Sequence, residues 1–237
     1  MKFDYVFFDS GGTLYSPGTG VDMSPSQVAA ENAKRVHALL GGMGVDLNFG
    51  RLKETLNRQE DLWRKRLGKA YNFLRLMEEV VDELHLALGK EEAACLADAY
   101  AGPRYASWLF PGTKDAFRTL NEDGCRLGII ANTAWLGFCM DRAFAGVGLL
   151  PFLGIRIYSG DIGIAKPDLA IFRLAEQLSG FAGKRILYVG NDVDADIKGA
   201  AAAGWSTAFR CSNNLTTAGL ANVEFDHISE LVRYCLD

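Results

Sequence analysis

The chain has 237 residues, of which 49% are hydrophobic and 23% are charged. This amount of apolar sequence is enough for one sizeable core and a smaller module. The formal net charge of -4 gives no basic face, which argues against nucleic acid as a partner. We therefore expect a globular protein that acts on small molecules.

The five cysteines are odd in number and lack both a CxxC pair and the spacing of a metal site. Buried thiols in a reducing compartment are the simplest interpretation. Asp9 is reached before an apolar stretch of signal-peptide length accumulates, and no later apolar run has the length of a membrane span. We expect a cytoplasmic protein without membrane contact, and the sequence leaves monomer and homodimer open.

The first strand is predicted from Phe3 to Phe8, a β-branched and aromatic run that ends at Asp9. The Ser-Gly-Gly segment that follows indicates a tight turn. Comparable apolar runs, separated by helical patterns, recur at 127–131, 155–158, 186–189 and 206–209. Strands that alternate with helices predict an α/β fold with a parallel sheet covered on both faces.

Between Pro25 and Ala106 the apolar residues recur at helical spacing, which predicts about four helices. An insertion between the first two strands of an open α/β sheet lies over the carboxyl ends of the strands, where ligands bind. We therefore predict a core domain at 1–15 and 109–237. The helical cap domain is predicted at 16–108 and is placed to act as a lid.

Asp9 is the most distinctive candidate residue. A carboxylate after a buried strand and before two glycines stands where backbone amides can surround an anion, although a capping role in the turn is the alternative. After the second strand, Asn132 and Thr133 can donate hydrogen bonds to a phosphoryl or carboxylate oxygen. Lys166, before a proline expected to begin a helix, can pair with an anionic substrate and with Asp9. An isolated lysine is more often a solvated surface residue.

A fourth segment, from Gly190 to Asp196, places three aspartates and an asparagine just after a strand. Clustered oxygen ligands suit Mg²⁺. Aspartates that cap a helix N-terminus are the alternative, and Asp194 fits it better than Asp192 and Asp196. Because the carboxyl ends of parallel strands meet at one edge of a sheet, we expect the four segments to converge there.

In that order, the segments FFDSGGTLY, IIANT, AKPDLAIF and VGNDVDADIKGAAAAG resemble the four motifs of the haloacid dehalogenase superfamily. The resemblance covers nearly the whole chain and implies a Rossmann-like sheet core with a four-helix cap. It also implies an aspartate nucleophile, which usually forms an aspartyl-phosphate in Mg²⁺-dependent phosphatases.

By position, the resemblance implies that Asp9 is the nucleophile and that Lys166 orients it and offsets the charge of the phosphate. The residues implied at the metal supply oxygen atoms: Asp9, Gly11, Asn191, Asp192 and Asp196. The residues implied at the substrate lie on the loops after the strands: Gly12, Thr13, Asn132, Thr133 and Lys166.

Three positions depart from the pattern of the family. Gly11 stands where phosphatases have a second aspartate that protonates the leaving oxygen and then activates water, which is worth about 10² to 10⁴ in rate. Ala131 stands where Ser or Thr usually binds the phosphoryl group. Asn191 offers a neutral amide where many relatives have aspartate, which weakens Mg²⁺ binding without abolishing it. We expect activated leaving groups, such as acyl phosphates, to react faster than ordinary esters.

The leading prediction is a Mg²⁺-dependent phosphatase of a small phosphorylated metabolite. The second is a metal-independent hydrolase of the dehalogenase kind, in which Asp9 displaces halide from carbon and needs no acid at position 11. The third is a degenerate member that binds a phosphorylated ligand or a partner protein. Retention of both Asp9 and Lys166 argues against the third, because an unused buried carboxylate and ammonium are costly unless they are paired with each other.

Overall fold

The structure, a computed structural model, describes residues 2–16, 24–68, 70–103, 106–211 and 217–237. Some residues of both predicted domains, 17–23, 69 and 104–105 in the cap and 1 and 212–216 in the core, lie outside the described residues. Six strands are present: β1 (Tyr5–Phe8), β2 (Arg126–Ala131), β3 (Leu153–Tyr158), β4 (Ile186–Gly190), β5 (Ser206–Arg210) and β6 (Val223–Phe225). All pair in parallel, in the order β3-β2-β1-β4-β5-β6, which confirms the predicted α/β fold.

The centre of the sheet is where the direction of the strand order reverses. From β1 the chain first builds outward to β2 and β3, and it then crosses to the other side of β1 to add β4. Phe8 of β1 lies opposite both Ile129 of β2 and Val189 of β4, so these three strands end level with one another. The loops after them therefore meet at one edge, which is where open α/β sheets bind ligands.

Helices cover the sheet and form the insertion: α1 (Pro25–Gly42), α2 (Phe49–Leu67), α3 (Phe73–Glu83), α4 (Lys90–Ala101), α5 (Thr113–Glu122), α6 (Gly137–Gly146), α7 (Ser159–Ile162), α8 (Leu169–Ser179), α9 (Gly199–Ala202) and α10 (Ile228–Leu236). A π-helical turn, Val193–Lys198, leads into α9. Pro167 does not begin α8, because the Asp168 carboxylate accepts a hydrogen bond from the amide of Ala170 and caps the helix one residue later.

The core of the sheet domain is built from alternate residues of each strand. Phe8 packs with Phe117 and other residues of α5, α6 and α10 on one face. Its neighbour Phe7 points to the other face, toward Phe172 of α8 and Trp205. Since successive side chains of a strand alternate between faces, this double burial explains why β1 reads as a continuous apolar run.

The four helices α1–α4 lie between β1 and β2 in the chain, as the helical spacing predicts, and they share an apolar cluster that also includes Leu136 and Cys139 from the segment after β2. Ser24 caps α1 with a capping box, and Asn48 and Asn72 cap α2 and α3. The two connections to the sheet run side by side, because Ser16 N donates to Trp108 O at 3.2 Å. Within the parts of the chain that the structure describes, we find no helix with the length and apolar character needed to cross a membrane.

Candidate active site

The loop after β1 places Asp9 at the carboxyl edge of the sheet. The amide of Asp9 donates to Val189 O at 2.8 Å, and the chain then turns, with Leu14 N donating to Ser10 O at 2.9 Å. Gly12 has a φ of +85°, and a Cβ there would lie 2.6 Å from the Asn191 side chain. Only glycine allows this close approach, so Gly12 brings the first and fourth segments into contact.

The ammonium of Lys166 lies beside Asp9 and is 1% exposed. Its Nζ is 2.8 Å from Asp9 Oδ1 and 2.7 Å from Asp196 Oδ1. Asn132 holds the backbone of Lys166 at both ends, because its Nδ2 donates to the carbonyl and its Oδ1 accepts from the amide, each at 2.8 Å. Lys166 is thus a buried member of the site and not a solvated surface residue.

Asp196 is the last residue of the fourth segment, and both of its carboxylate oxygens accept hydrogen bonds. Oδ1 accepts from Lys166, and Oδ2 accepts from the amides of Asn191 and Asp192 at 3.0 Å each. A Cβ on Gly190 would lie 2.2 Å from Asp196 Oδ2, so a glycine is needed for this packing. Asp196 therefore joins the lysine to the loop after β4.

The aspartate that caps the N-terminus of the π-helical turn at 193–198 is not the one that the sequence favours. Asp192 Oδ1 accepts from the amides of Asp194 and Ala195 at 3.0 and 2.9 Å. Asp194 is exposed and pairs with Lys198 at 2.7 Å. Asp194 does lie in the first turn, where its charge complements the helix dipole, but Asp192 has the capping role, because the turn begins at Val193.

The charges of the site are strongly coupled. Burial raises the pKa of Asp9, the neighbouring carboxylate of Asp196 raises it further, and Lys166 opposes both. Burial by itself lowers the pKa of Lys166, but attraction to Asp9 and Asp196 outweighs it and the pKa is raised. Two carboxylates and one ammonium leave this buried cluster with a net negative charge, which favours binding of a cation.

The donor set beside Asp9 fits Mg²⁺ in its chemistry. Asp9 has a second carboxylate oxygen, and Thr13 connects it to the Asn191 amide, since Thr13 Oγ1 donates to Asn191 Oδ1 at 3.0 Å and lies 3.4 Å from Asp9 Oδ2. Among the described residues, no group of three or more His, Cys, Asp or Glu is arranged for a metal. Mg²⁺ does not need such a group, because it keeps several waters and takes one or two carboxylates.

A cavity of about 460 Å³ opens in front of Asp9. Its floor consists of loop residues of the sheet edge: Asp9, Ser10, Gly11, Asn132 and Thr133. Its roof is one face of α1, at helical spacing: Val28, Glu31, Asn32 and Arg35. Its walls are mainly aromatic or apolar: Tyr15, Trp108, Trp135 and Met140.

Sequence reasoning missed the polar residues of the roof. Glu31, Asn32 and Arg35 face the cavity, yet on the chain they resemble the solvated side of an amphipathic helix. Arg35 also donates to the carbonyls of Ala99 and Tyr100 at 2.8 and 3.0 Å, and so fixes the end of α4. The one signal in the sequence was the helical spacing of the residues of α1, and that spacing does not show which face of the helix meets the core domain.

Of the ten site residues expected from the sequence, nine lie on the loops at this edge, and Asp196 lies in the π-helical turn that follows β4. Thr133 lines the cavity, and its Oγ1 accepts from the amide of Trp135 at 3.1 Å. Direct hydrogen bonds connect seven of the ten: Asp9, Thr13, Asn132, Lys166, Asn191, Asp192 and Asp196. The individual roles given to these residues stay predictions.

Comparison with known proteins agrees with this geometry. Residues 3–204 match the haloacid dehalogenase-like hydrolases. The chain belongs to this family of hydrolases. The resemblance drawn from the four motifs is thereby confirmed.

Relatives within the family differ in activity. A glyceraldehyde 3-phosphate phosphatase from Methanocaldococcus jannaschii is 32% identical, over 85% of this chain and 82% of that protein. An (S)-2-haloacid dehalogenase from Pseudomonas fluorescens is 28% identical, over 78% of this chain and 74% of that protein. The chain spans about half the length of two other phosphatases that it matches, 51% and 50%.

Solved structures agree on the fold. A 2-haloacid dehalogenase from Pseudomonas syringae pv. Tomato DC3000 superposes with a TM-score of 0.63 at 20% identity, over 99% of this chain and 100% of that one. At this level of identity the match shows the fold alone, a Rossmann-like sheet with inserted helices.

Proposed function

We propose that the protein is a Mg²⁺-dependent phosphatase of a small phosphorylated metabolite, with Asp9 as the nucleophile. The observation that carries the proposal is the position of Asp9 at the floor of a cavity, with the buried ammonium of Lys166 at 2.8 Å from Oδ1. Phosphatases among the relatives support it. A cytoplasmic location and a monomer or homodimer stay predictions.

In this proposal Lys166 holds one oxygen of Asp9, and its positive charge opposes the rise in the pKa of Asp9 that burial causes. An oxygen of the Asp9 carboxylate attacks the phosphorus, and the bond to the leaving oxygen breaks as the new bond forms. Water then attacks the phosphorus, which returns the carboxylate of Asp9 and releases phosphate. Residues 16–108 act as a cap that excludes bulk water from the first step.

The metal would be held by Asp9, the carbonyl of Gly11, Asn191 and Asp192, and when bound it supplies positive charge to the phosphoryl oxygens. Asp196 serves as a support in this arrangement, because both of its oxygens already accept hydrogen bonds from Lys166 and from backbone amides.

Gly11 sets the range of leaving groups. A side chain at position 11 is where the family's phosphatases place the general acid, and a Cβ there would be 3.9 Å from the Tyr15 ring, an ordinary contact. Without that acid the leaving oxygen departs unassisted, so an acyl phosphate, whose leaving group is a stable carboxylate, reacts faster than an alkyl ester.

The test is hydrolysis of acetyl phosphate and p-nitrophenyl phosphate by wild type, Asp9→Asn and Gly11→Asp, with Mg²⁺ and with EDTA. We expect Mg²⁺-dependent turnover that is lost in Asp9→Asn and raised in Gly11→Asp. If wild type and Gly11→Asp hydrolyse neither compound, the phosphatase proposal is wrong.

A metal-independent dehalogenase is the second candidate. It is favoured by the engagement of Asp196 with Lys166 and by the neutral amide of Asn191, which Thr13 links to Asp9, and relatives of this activity exist. Asp9 would displace halide from carbon, and water would then cleave the resulting ester. Release of chloride from 2-chloropropionate in excess EDTA, absent in Asp9→Asn, would support this route over the first.

The structure removes one argument against a degenerate binding protein. That argument held that Asp9 and Lys166 are costly to retain if unused, unless they are paired with each other. They are paired, at 2.8 Å, so their burial alone does not distinguish an enzyme from a degenerate binding protein. An Asp9→Asn protein that keeps its biological function would favour the binding interpretation.

A further inference from the structure

We propose that Tyr188 is a positioning residue for hydrolysis, and that its hydroxyl holds the ammonium of Lys166 in place beside Asp9. The inference rests on the proposed role of Asp9 as nucleophile, and it applies to attack on phosphorus and on carbon alike. Tyr188 lies on β4, beneath the site, and is not among the residues that line the cavity.

The first step concerns the hydrogen-bond acceptors that the ammonium of Lys166 requires. A buried ammonium has three N–H groups, and each one left without an acceptor costs free energy. Lys166 Nζ donates to Asp9 Oδ1 at 2.8 Å, to Asp196 Oδ1 at 2.7 Å and to the hydroxyl of Tyr188. Tyr188 is thus the third acceptor, and the one acceptor of the three without a formal charge.

The second step concerns the rigidity of that hydroxyl. It donates to Ile130 O at 2.7 Å, which directs a lone pair toward the lysine. The ring is fully buried and packs edge-on against Phe172, with 5.6 Å between the ring centroids. Burial raises the pKa of Tyr188 far above its usual value, so the group stays a neutral phenol. Strand β4 therefore presents a fixed acceptor to Lys166.

The third step concerns what happens to the lysine during the reaction. When Asp9 forms its covalent bond it gives up its negative charge, and its attraction for Lys166 weakens. Asp196 and Tyr188 do not change charge at that moment, and they keep the ammonium directed at the reacting atoms. Without the hydroxyl, Asp196 alone would hold it, and the nitrogen would shift toward that carboxylate.

The chain offers a matched control in Tyr5. Its ring is also buried, at 3% exposure, in the same apolar cluster as Tyr188. Its hydroxyl also makes a backbone hydrogen bond, accepting from Ile155 N at 2.9 Å. A Tyr5→Phe variant therefore loses a buried hydroxyl without any change at Lys166.

The first experiment compares Tyr188→Phe and Tyr5→Phe in kcat and KM on the compound that wild type turns over best. We expect kcat to fall about tenfold or more in Tyr188→Phe, with KM within about twofold of wild type, because a hydrogen bond to a charged group is lost. Tyr5→Phe should keep kcat within about twofold. Equal losses of kcat in the two variants would overturn the proposal, since that result indicates loss of packing only.

The second experiment does not require activity. In protein labelled with ¹⁵N at lysine side chains, an ammonium with three hydrogen bonds exchanges its protons slowly and gives a sharp signal. The signal that is present in the spectrum of wild type and missing from that of Lys166→Met is assigned to Lys166. We expect it to be sharp in wild type and Tyr5→Phe and to be broadened or lost in Tyr188→Phe. An unchanged signal in Tyr188→Phe contradicts the inference, whereas failure of wild type to hydrolyse any tested compound contradicts the proposed function alone.

Discussion

The floor and the roof of the cavity are built in different ways. At the floor and directly beneath it, Lys166 and Asp196 are buried, the Asp9 side chain is 14% exposed, and short contacts join the three although they lie far apart in the chain. At the roof, Arg35 is held by two carbonyls of α4, but Glu31 is more open, because its ion pair with Lys34 leaves about half of each side chain in solvent, 47% and 60%. The comparison suggests that the floor carries the chemistry, which needs fixed geometry, and that the roof tunes which molecule is accepted.

The largest effect is expected when the central charge of the floor is removed. Lys166→Met leaves Asp9 and Asp196 as unpaired buried carboxylates, which costs about 3 to 5 kcal/mol in the free energy of unfolding. Urea unfolding of the variant measures this loss. Lys198→Met, which removes the exposed partner of Asp194, should cost at most about 1 kcal/mol. Similar losses for the two lysines would show that the floor is not energetically distinct.

A smaller but still large effect is expected at Gly190. An added Cβ would lie 2.2 Å from Asp196 Oδ2, so Gly190→Ala must displace the carboxylate that holds Lys166, at a cost of about 1 to 3 kcal/mol. Activity should fall together with the free energy of unfolding. Gly41→Ala is the control, because Gly41 lies within α1 with no heavy atom of the described chain within 4 Å of its Cβ position. A stable, active Gly190→Ala would mean that the tight packing of Asp196 is not required.

The pH dependence of the reaction tests the electrostatics of the floor. Asp9 must be ionised to attack, and burial and the charge of Asp196 raise its pKa above the usual value. As pH falls, kcat/KM should therefore decline at a higher pH than for an ordinary aspartate, about 3.9. The profile is measured with acetyl phosphate, with circular dichroism at each pH to confirm that the protein stays folded. A decline at or below the ordinary value would mean that Lys166 outweighs burial.

The smallest effect is expected at the roof. Glu31 places a negative charge in the cavity, so Glu31→Gln should lower KM for an anionic ester by about two- to fivefold, with kcat nearly unchanged. The free energy of unfolding should stay within about 0.5 kcal/mol of wild type. Glu54→Gln makes the same change of charge at an exposed position of α2 outside the cavity lining. An equal change of KM in both variants would indicate a general effect of charge, and it would mean that Glu31 at the roof does not influence which substrate binds.

The sheet and the positions of the candidate residues were readable from the chain because they depend on local patterns. Short apolar runs predicted β1 to β5, and Asp9 was recognisable from the turn that follows β1. The three-residue β6 was missed, because so short a segment has no periodicity to detect. The capping role of Asp192 was missed because it depends on where the turn begins, and the sequence does not define a helix start to within one residue.

The sequence by itself determined the class of fold and the family, and it supplied the candidate residues of the site. The pair of Lys166 and Asp9 was expected from the sequence, and only the tertiary structure showed that Asp196 and Tyr188 share the same ammonium. Asp9 and Lys166 are 157 positions apart, and Lys166 and Asp196 are 30 apart, yet their atoms lie within 2.8 Å of one another. Hydrogen bonds of this kind form where loops from separate strands meet, and no local pattern in the chain records which side chains will share them.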